Sequence, residues 1–173
     1  ILLSSAEGWG LALTESLLTG TPIIANVTGG MQDQMRFVDE NGNWYTNSKE
    51  IPSNQFGTYK EHGIWALPVF PKAVGMVGSP MTPYIWDSRC DFRDAKDRII
   101  ELYKMPKEQR FTQGNAGREW ALSDEAGFTA EHMGNRFIDG MEKLFSTWMP
   151  RENFTFWKDT DYKSRKLNHK LEY

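Results

Sequence analysis

The stretch that decides the fold is SSAEGWGLALTESLLTGTPIIA, residues 4–25, which contains a loop, a helix, a helix stop and a strand in direct succession. We predict a helix from Leu11 to Leu18, with the apolar side chains facing inward: Leu11, Leu13, Leu17 and Leu18. Gly20-Thr21-Pro22 ends this helix, because glycine suits the position after the last turn and proline cannot continue the hydrogen-bond ladder. Ile23-Ile24-Ala25 is a short apolar run typical of a strand covered on both faces.

The residues on either side extend this alternation of strands and helices. Ile1 to Leu3 is predicted as a strand, Gly29-Gly30 as a tight loop and Met31 to Phe37 as a short helical turn. Asn41-Gly42-Asn43 indicates a turn before a short strand at Trp44-Tyr45. Alternating strands and helices predict an α/β fold with a short parallel sheet. Because the chain starts at Ile1, inside a predicted strand, we expect it to be the C-terminal piece of a longer protein.

The middle of the chain, residues 48–88, is rich in proline and glycine, so we predict an irregular insertion without any long regular element. Within it, Ile64 to Phe70 is expected to be extended, with Pro68 favouring an edge position in the sheet.

The rest of the chain is predicted to be helical. Asp91 is a plausible N-cap for a first helix, whose apolar stripe is Phe92, Ala95, Ile99 and Tyr103. A second helix starts near Pro106 and ends near Leu122, and a third carries an apolar stripe that ends before Pro150. We therefore expect one domain over residues 1–149 and a basic, aromatic tail over residues 150–173. A solvated tail or a helix packed on a neighbouring domain is favoured there over a site for nucleic acid or anionic lipid, because acidic residues dilute its basic charge.

Composition excludes several classes of protein. The 173 residues are 39% hydrophobic and 25% charged with a mean hydropathy of −0.58, which fits neither a disordered chain nor a membrane-spanning one. A net charge of −3 argues against nucleic acid as a partner. The single cysteine, Cys90, excludes an internal disulfide, and we expect it to be a buried structural thiol. His62, His132 and His169 lack metal-ligand spacing, and His132 is expected to be exposed.

The start of the predicted helix is a candidate binding site. Free backbone N–H groups and the positive end of the helix dipole would bind an anion at the carboxyl edge of the sheet, and a ligand with a phosphate group fits that crevice. Gly8 and Gly10 leave room for a ligand against the backbone. On one α-helix, Glu7 and Glu15 would lie about 12 Å and about 80° apart, too far to share a proton or a metal but suited to two ends of an extended nucleotide-sugar.

With these residues the sequence resembles the retaining glycosyltransferases of the GT-B fold, the group 1 enzymes with an E-x7-E motif. Their run S-x-x-E-G-x-G-L-x-x-x-E-x-L-x-x-G-x-P-V-I-A is met at nearly every position of residues 4–25. Gly29-Gly30 followed by Asp33 also looks like the G-G-x-x-[ED] loop of this family. The resemblance is specific over about residues 1–46 and only architectural over about 88–148.

The resemblance implies an incomplete, Rossmann-like C-terminal domain that binds a nucleotide-diphosphate sugar as donor substrate. Glu7 would contact the sugar hydroxyls as the catalytic residue, and Glu15 would hold the ribose. The backbone of the intervening loop would lie along the sugar and the diphosphate: Gly8, Trp9, Gly10 and Leu11. It also implies no bound metal or other cofactor, transfer with retention by a front-face reaction, and catalysis by positioning and charge stabilisation.

Several expectations stay open at this point. The family's acceptor-binding N-terminal domain and its diphosphate-binding Arg and Lys precede the motif, so we expect little turnover from this chain alone and leave its acceptor unknown. Trp9 is as suited to core packing as to lining a pocket. A non-catalytic interaction module of the same fold and a sugar phosphorylase or epimerase of similar fold remain alternatives, and a homodimer is left open. We expect a cytoplasmic protein and leave a peripheral membrane association open.

Overall fold

The computed structural model describes residues 1–45 and 53–150. The helices are α1 (Leu11–Leu18), α2 (Phe92–Lys104), α3 (Lys107–Leu122) and α4 (Ala130–Thr147), and the strands are β1 (Ile23–Asn26), β2 (Ala66–Val69), β3 (Pro71–Ser79) and β4 (Thr82–Cys90). Two short 3-10 turns, Gly29–Met31 and Asp33–Met35, follow β1. The chain divides into two compact units, Ile1–Asn135 and Arg136–Tyr173. The predicted tail from residue 151 onward lies outside the described residues.

A small parallel sheet lies at the centre of the first unit. β1 pairs in parallel with β2, Ile23 opposite Ala66, and all residues of both strands are buried. On the other side of β1, the predicted first strand is reduced to one parallel bridge from Leu2 to Ala25. The structure therefore confirms an α/β fold with a short parallel sheet. Pro68 lies in β2, whose only strand partner among the described residues is β1, so its predicted edge position is also confirmed.

Helix α1 has the predicted bounds and a partly different buried face. Leu13 and Leu17 are buried in the core, whereas Leu18 is half-buried and Leu11 is 64% exposed. The prediction that Leu11 faces inward is wrong, because it begins the helix at the open edge of the sheet. Gly20 follows the helix with a φ of 74°, the left-handed backbone that makes glycine suitable for a helix stop.

The hydrophobic core of this unit is unusually aromatic. Trp120 of α3 stacks on Trp65 with ring centroids 5.0 Å apart and receives the edge of Trp44 at 5.6 Å. α1 packs against α3 at two glycines: a Cβ on Gly114 would lie 1.9 Å from the carbonyl oxygen of Gly20. The predicted strand at Trp44 is a single antiparallel bridge to Val38.

The prediction of an irregular insertion over residues 48–88 is wrong for its second half, from residue 71 onward. β3 and β4 form an antiparallel hairpin of nine residues in each strand. The prolines do not interrupt it because Pro71 starts β3, Pro80 lies in the turn and Pro83 is next to the start of β4. A register shift between Val77 and Ser79 absorbs the remaining irregularity.

The base of the hairpin is attached to the parallel sheet through one buried amide. The Nδ2 group of Asn26, at the end of β1, donates to the carbonyl oxygens of Ser4 at 3.0 Å and Ser88 at 2.6 Å. The backbone N–H of Ser88 donates in turn to the carbonyl of Ser5 at 2.7 Å. β4 therefore lies against the loop that follows the first strand.

The later helices form as predicted, with more exposed faces. The Asp91 side chain caps α2 by accepting from the backbone N–H of Arg93 at 2.8 Å. Of the predicted stripe on α2, only Ala95 is buried, and no residue of α4 is buried. Among the described helices, none has both the length and the apolar character needed to cross a membrane.

Candidate functional site

Two glycine loops meet at the carboxyl edge of the parallel sheet. The loop of residues 4–10 follows the strand position at Leu2, and Gly29-Gly30 follows β1. The N–H of Gly30 donates to the carbonyl oxygen of Gly8 at 3.0 Å, which joins the loops directly. The edge where α/β sheets bind their ligands therefore carries both glycine motifs singled out in the sequence.

The contact between these loops leaves no space for side chains on the second one. A Cβ on Gly29 would lie 1.9 Å from the carbonyl oxygen of Glu7, and the φ of Gly29 is +48°. A Cβ on Gly30 would lie 2.6 Å from the carbonyl oxygen of Gly8 and 2.7 Å from the Trp9 ring. By contrast, a Cβ on Gly8 would meet nothing within 4 Å, so Gly8 faces open space. Gly29-Gly30 thus supports the loop from behind, while Gly8 is free to approach a ligand.

Helix α1 begins at this loop without a side-chain cap. Gly10 precedes the helix, is buried and has a φ of 81°. The N–H of Leu13 is used by the carbonyl of Gly10 at 2.8 Å. Within the described residues, the N–H groups of Leu11 and Ala12 have no protein acceptor. Two donors at the positive end of the helix are therefore available to an anion.

The two glutamates do not share a helix. Glu7 is half-buried in the loop, and its Oε1 accepts from the N–H of Gly8 at 3.1 Å. Glu15 is exposed on α1. The predicted separation of the two carboxylates assumed one continuous helix and does not apply, because α1 begins only at Leu11.

Trp9 is 37% exposed, and its indole is held in place by two contacts. Its Nε1 donates to Oγ1 of Thr14 at 2.9 Å, and its ring packs edge-on against Phe128 with centroids 5.2 Å apart. These contacts favour the packing role that the sequence left open for Trp9, and its role in lining a pocket stays a prediction.

Gln34 is the site residue that sequence reasoning missed. Its buried side chain donates to the carbonyl of Trp9 at 2.6 Å and accepts from Oγ1 of Thr14 at 2.8 Å. The backbone carbonyl of Gln34 also accepts from Nε1 of Trp65 at 3.0 Å. The side-chain amide of Gln34 thus joins the loop to α1, and its backbone joins them to the core. No local sequence pattern indicates such a long-range role.

Asp33 is a partly buried carboxyl on the second 3-10 turn after β1. Burial disfavours its charged form and raises the pKa of Asp33 to about 6. The sequence singled Asp33 out only as the end of the Gly29-Gly30 motif. The structure adds the burial that raises its pKa.

Other titratable groups are engaged elsewhere. Arg36 forms a bidentate pair with Glu125, both contacts at 2.8 Å, and the hydrogen bonds from Arg36 lower the pKa of Glu125. His132 is half-buried rather than exposed as predicted, because its ring contacts Asp124 at 2.9 Å and Thr129 at 2.6 Å. In the described part of the chain, no three His, Cys, Asp or Glu side chains are grouped to hold a metal ion.

The structure also has an apolar groove of about 320 Å³ beside α2, away from the glycine loops. It is lined by Leu3, Cys90 and five side chains of α2, and none of the predicted site residues contributes to it. Cys90 is half-buried there rather than buried as predicted; burial nevertheless raises the pKa of its thiol, so a structural role fits better than a nucleophilic one.

No protein family, no curated protein and no solved structure matches this chain.

Proposed function

We propose that this chain is the donor-binding part of a retaining glycosyltransferase that takes its sugar from a nucleotide-diphosphate sugar. The observation that carries the proposal is the direct backbone contact between the two glycine loops beside the uncapped start of α1. This contact places an approachable backbone, two free N–H donors and a half-buried carboxylate at one edge of the parallel sheet. Those groups match the diphosphate and the sugar hydroxyls of such a donor.

Each group has a distinct role in the proposal. The N–H groups of Leu11 and Ala12 bind the diphosphate, with the dipole of α1 offsetting part of its charge. Gly8 allows the sugar to approach the loop, and Glu7 accepts hydrogen bonds from its hydroxyls next to the anomeric carbon. Glu15, exposed on α1, accepts from the ribose hydroxyls.

The proposed reaction needs no protein nucleophile. The departing diphosphate takes the proton of the acceptor hydroxyl on the face from which it leaves, which retains the anomeric configuration. Catalysis then comes from holding the donor in place and stabilising the charge that develops on the diphosphate. The acceptor is held by a separate domain in this proposal.

The first test is saturation-transfer NMR with UDP-, GDP- and ADP-sugars. We expect transfer to the ribose protons of one donor and a large loss of it in Glu15→Ala, because the carboxylate that accepts the ribose hydroxyls is removed. Glu108→Ala is the matched control, since it removes an exposed glutamate from the first turn of α3, away from the glycine loops. Equal signals from the two variants would contradict the role of Glu15. Absence of transfer even in a protein that also carries an acceptor domain would contradict the proposed function.

A non-catalytic interaction module is the second candidate, because the hairpin exposes several large apolar side chains. This candidate predicts no binding of any nucleotide-sugar and a partner interaction that survives Glu15→Ala. It also predicts that removing the residues after Pro150 weakens oligomerisation.

A further inference from the structure

The β3–β4 hairpin projects an uncharged, apolar surface. Residues 73–86 contain no charged side chain, and the charges nearest to them lie at the base of the hairpin, at Lys72 and Asp87. Five large apolar side chains of the hairpin are 49% to 92% exposed: Met76, Met81, Tyr84, Ile85 and Trp86. A surface of this kind is typical of a binding interface.

Apart from the Ser88 N–H, which donates to the Ser5 carbonyl, the described residues give the outer edges of the hairpin no backbone partner. Within the described residues, β3 and β4 form a two-stranded sheet and pair with no other strand. A two-stranded hairpin is marginally stable by itself in water, and a free, uncharged edge pairs readily with another strand. A third strand would therefore satisfy backbone groups as well as cover apolar side chains.

The two free edges are not equivalent. Along β4, Pro83, Asp87 and Arg89 interrupt pairing, since proline lacks a donor and charges oppose close contact. Along β3, residues 73–77 have no charge and no proline. Gly75 lies at the middle of this segment, and a Cβ there would meet nothing within 4 Å. The edge of β3 is therefore the one open to another backbone.

We propose that β3 pairs antiparallel with β3 of a second copy of this chain, about a two-fold axis at Gly75. The result is a continuous sheet in the order β4, β3, β3 of the second copy and β4 of the second copy. Pairing centred on Gly75 places Val74 opposite Met76 and Ala73 opposite Val77 in both directions, so the segment is complementary to itself without any facing charges.

The unpaired backbone edge favours this partner over a lipid surface. Of the five exposed apolar side chains, Met76 lies in the paired segment of β3, whereas Met81 lies at the tip and Tyr84, Ile85 and Trp86 lie on β4. A lipid surface would cover the same side chains but would leave the edge N–H and C=O groups of β3 without partners, which is costly in a bilayer. Pairing with a second copy gives those backbone groups their partners.

The test is the mass of the full chain in solution, measured by light scattering and sedimentation over the micromolar to submillimolar range. We expect a dimer for the native sequence and at least tenfold weaker association for Met76→Lys, because it puts a charge in the paired segment. Met81→Lys is the matched control: it makes the same change at the 92% exposed tip, outside that segment, and should leave the dimer intact. Circular dichroism of both variants reports whether the fold is retained.

Three outcomes would overturn the proposal. A native chain that stays monomeric throughout the range excludes the dimer. Equal weakening by Met76→Lys and Met81→Lys assigns the contact to the tip rather than to the β3 edge. A monomer that co-sediments with phosphatidylcholine vesicles and loses this binding in Met81→Lys assigns the hairpin to a lipid surface. None of these results depends on nucleotide-sugar binding, so the dimer and the proposed function fail separately.

Discussion

The glycines of the two loops have different structural roles, and single substitutions to alanine distinguish these roles. Gly30→Ala would force a Cβ against the Gly8 carbonyl and the Trp9 ring, and we expect it to lower the free energy of unfolding by about 1–3 kcal/mol. Gly8→Ala places its Cβ in open space and should change stability by about 0.5 kcal/mol or less. Urea denaturation checks both values.

The same two variants, Gly8→Ala and Gly30→Ala, test the proposed donor-binding site. If a donor lies along the Gly8 backbone, Gly8→Ala weakens nucleotide-sugar binding in a protein of unchanged stability. Unchanged binding in Gly8→Ala would place the donor elsewhere, and a stable Gly30→Ala would show that the two loops are not in tight contact.

Asp33 makes stability depend on pH in an unusual direction for an acidic residue. Its pKa is raised to about 6 by burial, against 3.8 for an unperturbed carboxyl, so between these values the folded chain holds more protons than the unfolded one. The Asp33 contribution is therefore most favourable at low pH and is lost as pH rises toward 6. We expect Asp33→Asn to raise the free energy of unfolding at pH 7.5 by about 1 kcal/mol, since solvent screens a partly exposed group, and to change little at pH 4. Denaturation of both proteins at the two pH values decides this, and a gain confined to pH 4 would contradict it.

At the scale of elements, the sequence predicts those helices and strands whose bounds depend on neighbouring residues. The bounds of α1 and β1 follow from the apolar spacing, from Gly20 and Pro22 as breakers and from a continuous apolar run, all within a few residues of each other. The candidate loop was found for the same reason. Its support by Gln34 and the contact between Gly8 and Gly30 connect residues about twenty positions apart, and no local pattern records them.

The hairpin is not predicted by its content of proline and glycine, because what matters is where these residues lie in the strands. Pro71, Pro80 and Pro83 lie at strand starts and in the turn, where a missing N–H does little harm. Gly75 and Gly78 lie inside β3, which is unfavourable for an isolated strand and acceptable where another backbone approaches or the register shifts.

Asn26 tests how the hairpin is joined to the sheet. Asn26→Ala removes the donors to the Ser4 and Ser88 carbonyls, which leaves a partly buried and a buried acceptor without these bonds. The Oδ1 of Asn26 is itself buried without a partner among the described residues, and its removal offsets part of this cost. We expect a loss of about 1–3 kcal/mol in the free energy of unfolding and faster hydrogen exchange at the Ser88 amide.

The control Asn43→Ala removes an exposed amide and should cost under about 1 kcal/mol. Equal costs at the two positions would contradict the anchoring role.

At the scale of the first unit, Ile1–Asn135, stability should be divided between the sheet core and the hairpin. Every residue of β1 and β2 is buried, whereas in the hairpin only Ser88 is buried. Local opening is easiest where few buried contacts oppose it, so at low protein concentration we expect amides of β3 and β4 to exchange orders of magnitude faster than those of β1 and β2.

Raising the concentration should slow exchange in residues 73–77 through pairing with a second copy and leave β1 and β2 unchanged. Hydrogen-exchange mass spectrometry at two concentrations measures both effects, with Met76→Lys as the control that should lose the concentration dependence. Uniform protection of the hairpin and the sheet at every concentration would contradict the division, because it would mean that the whole unit opens only by global unfolding.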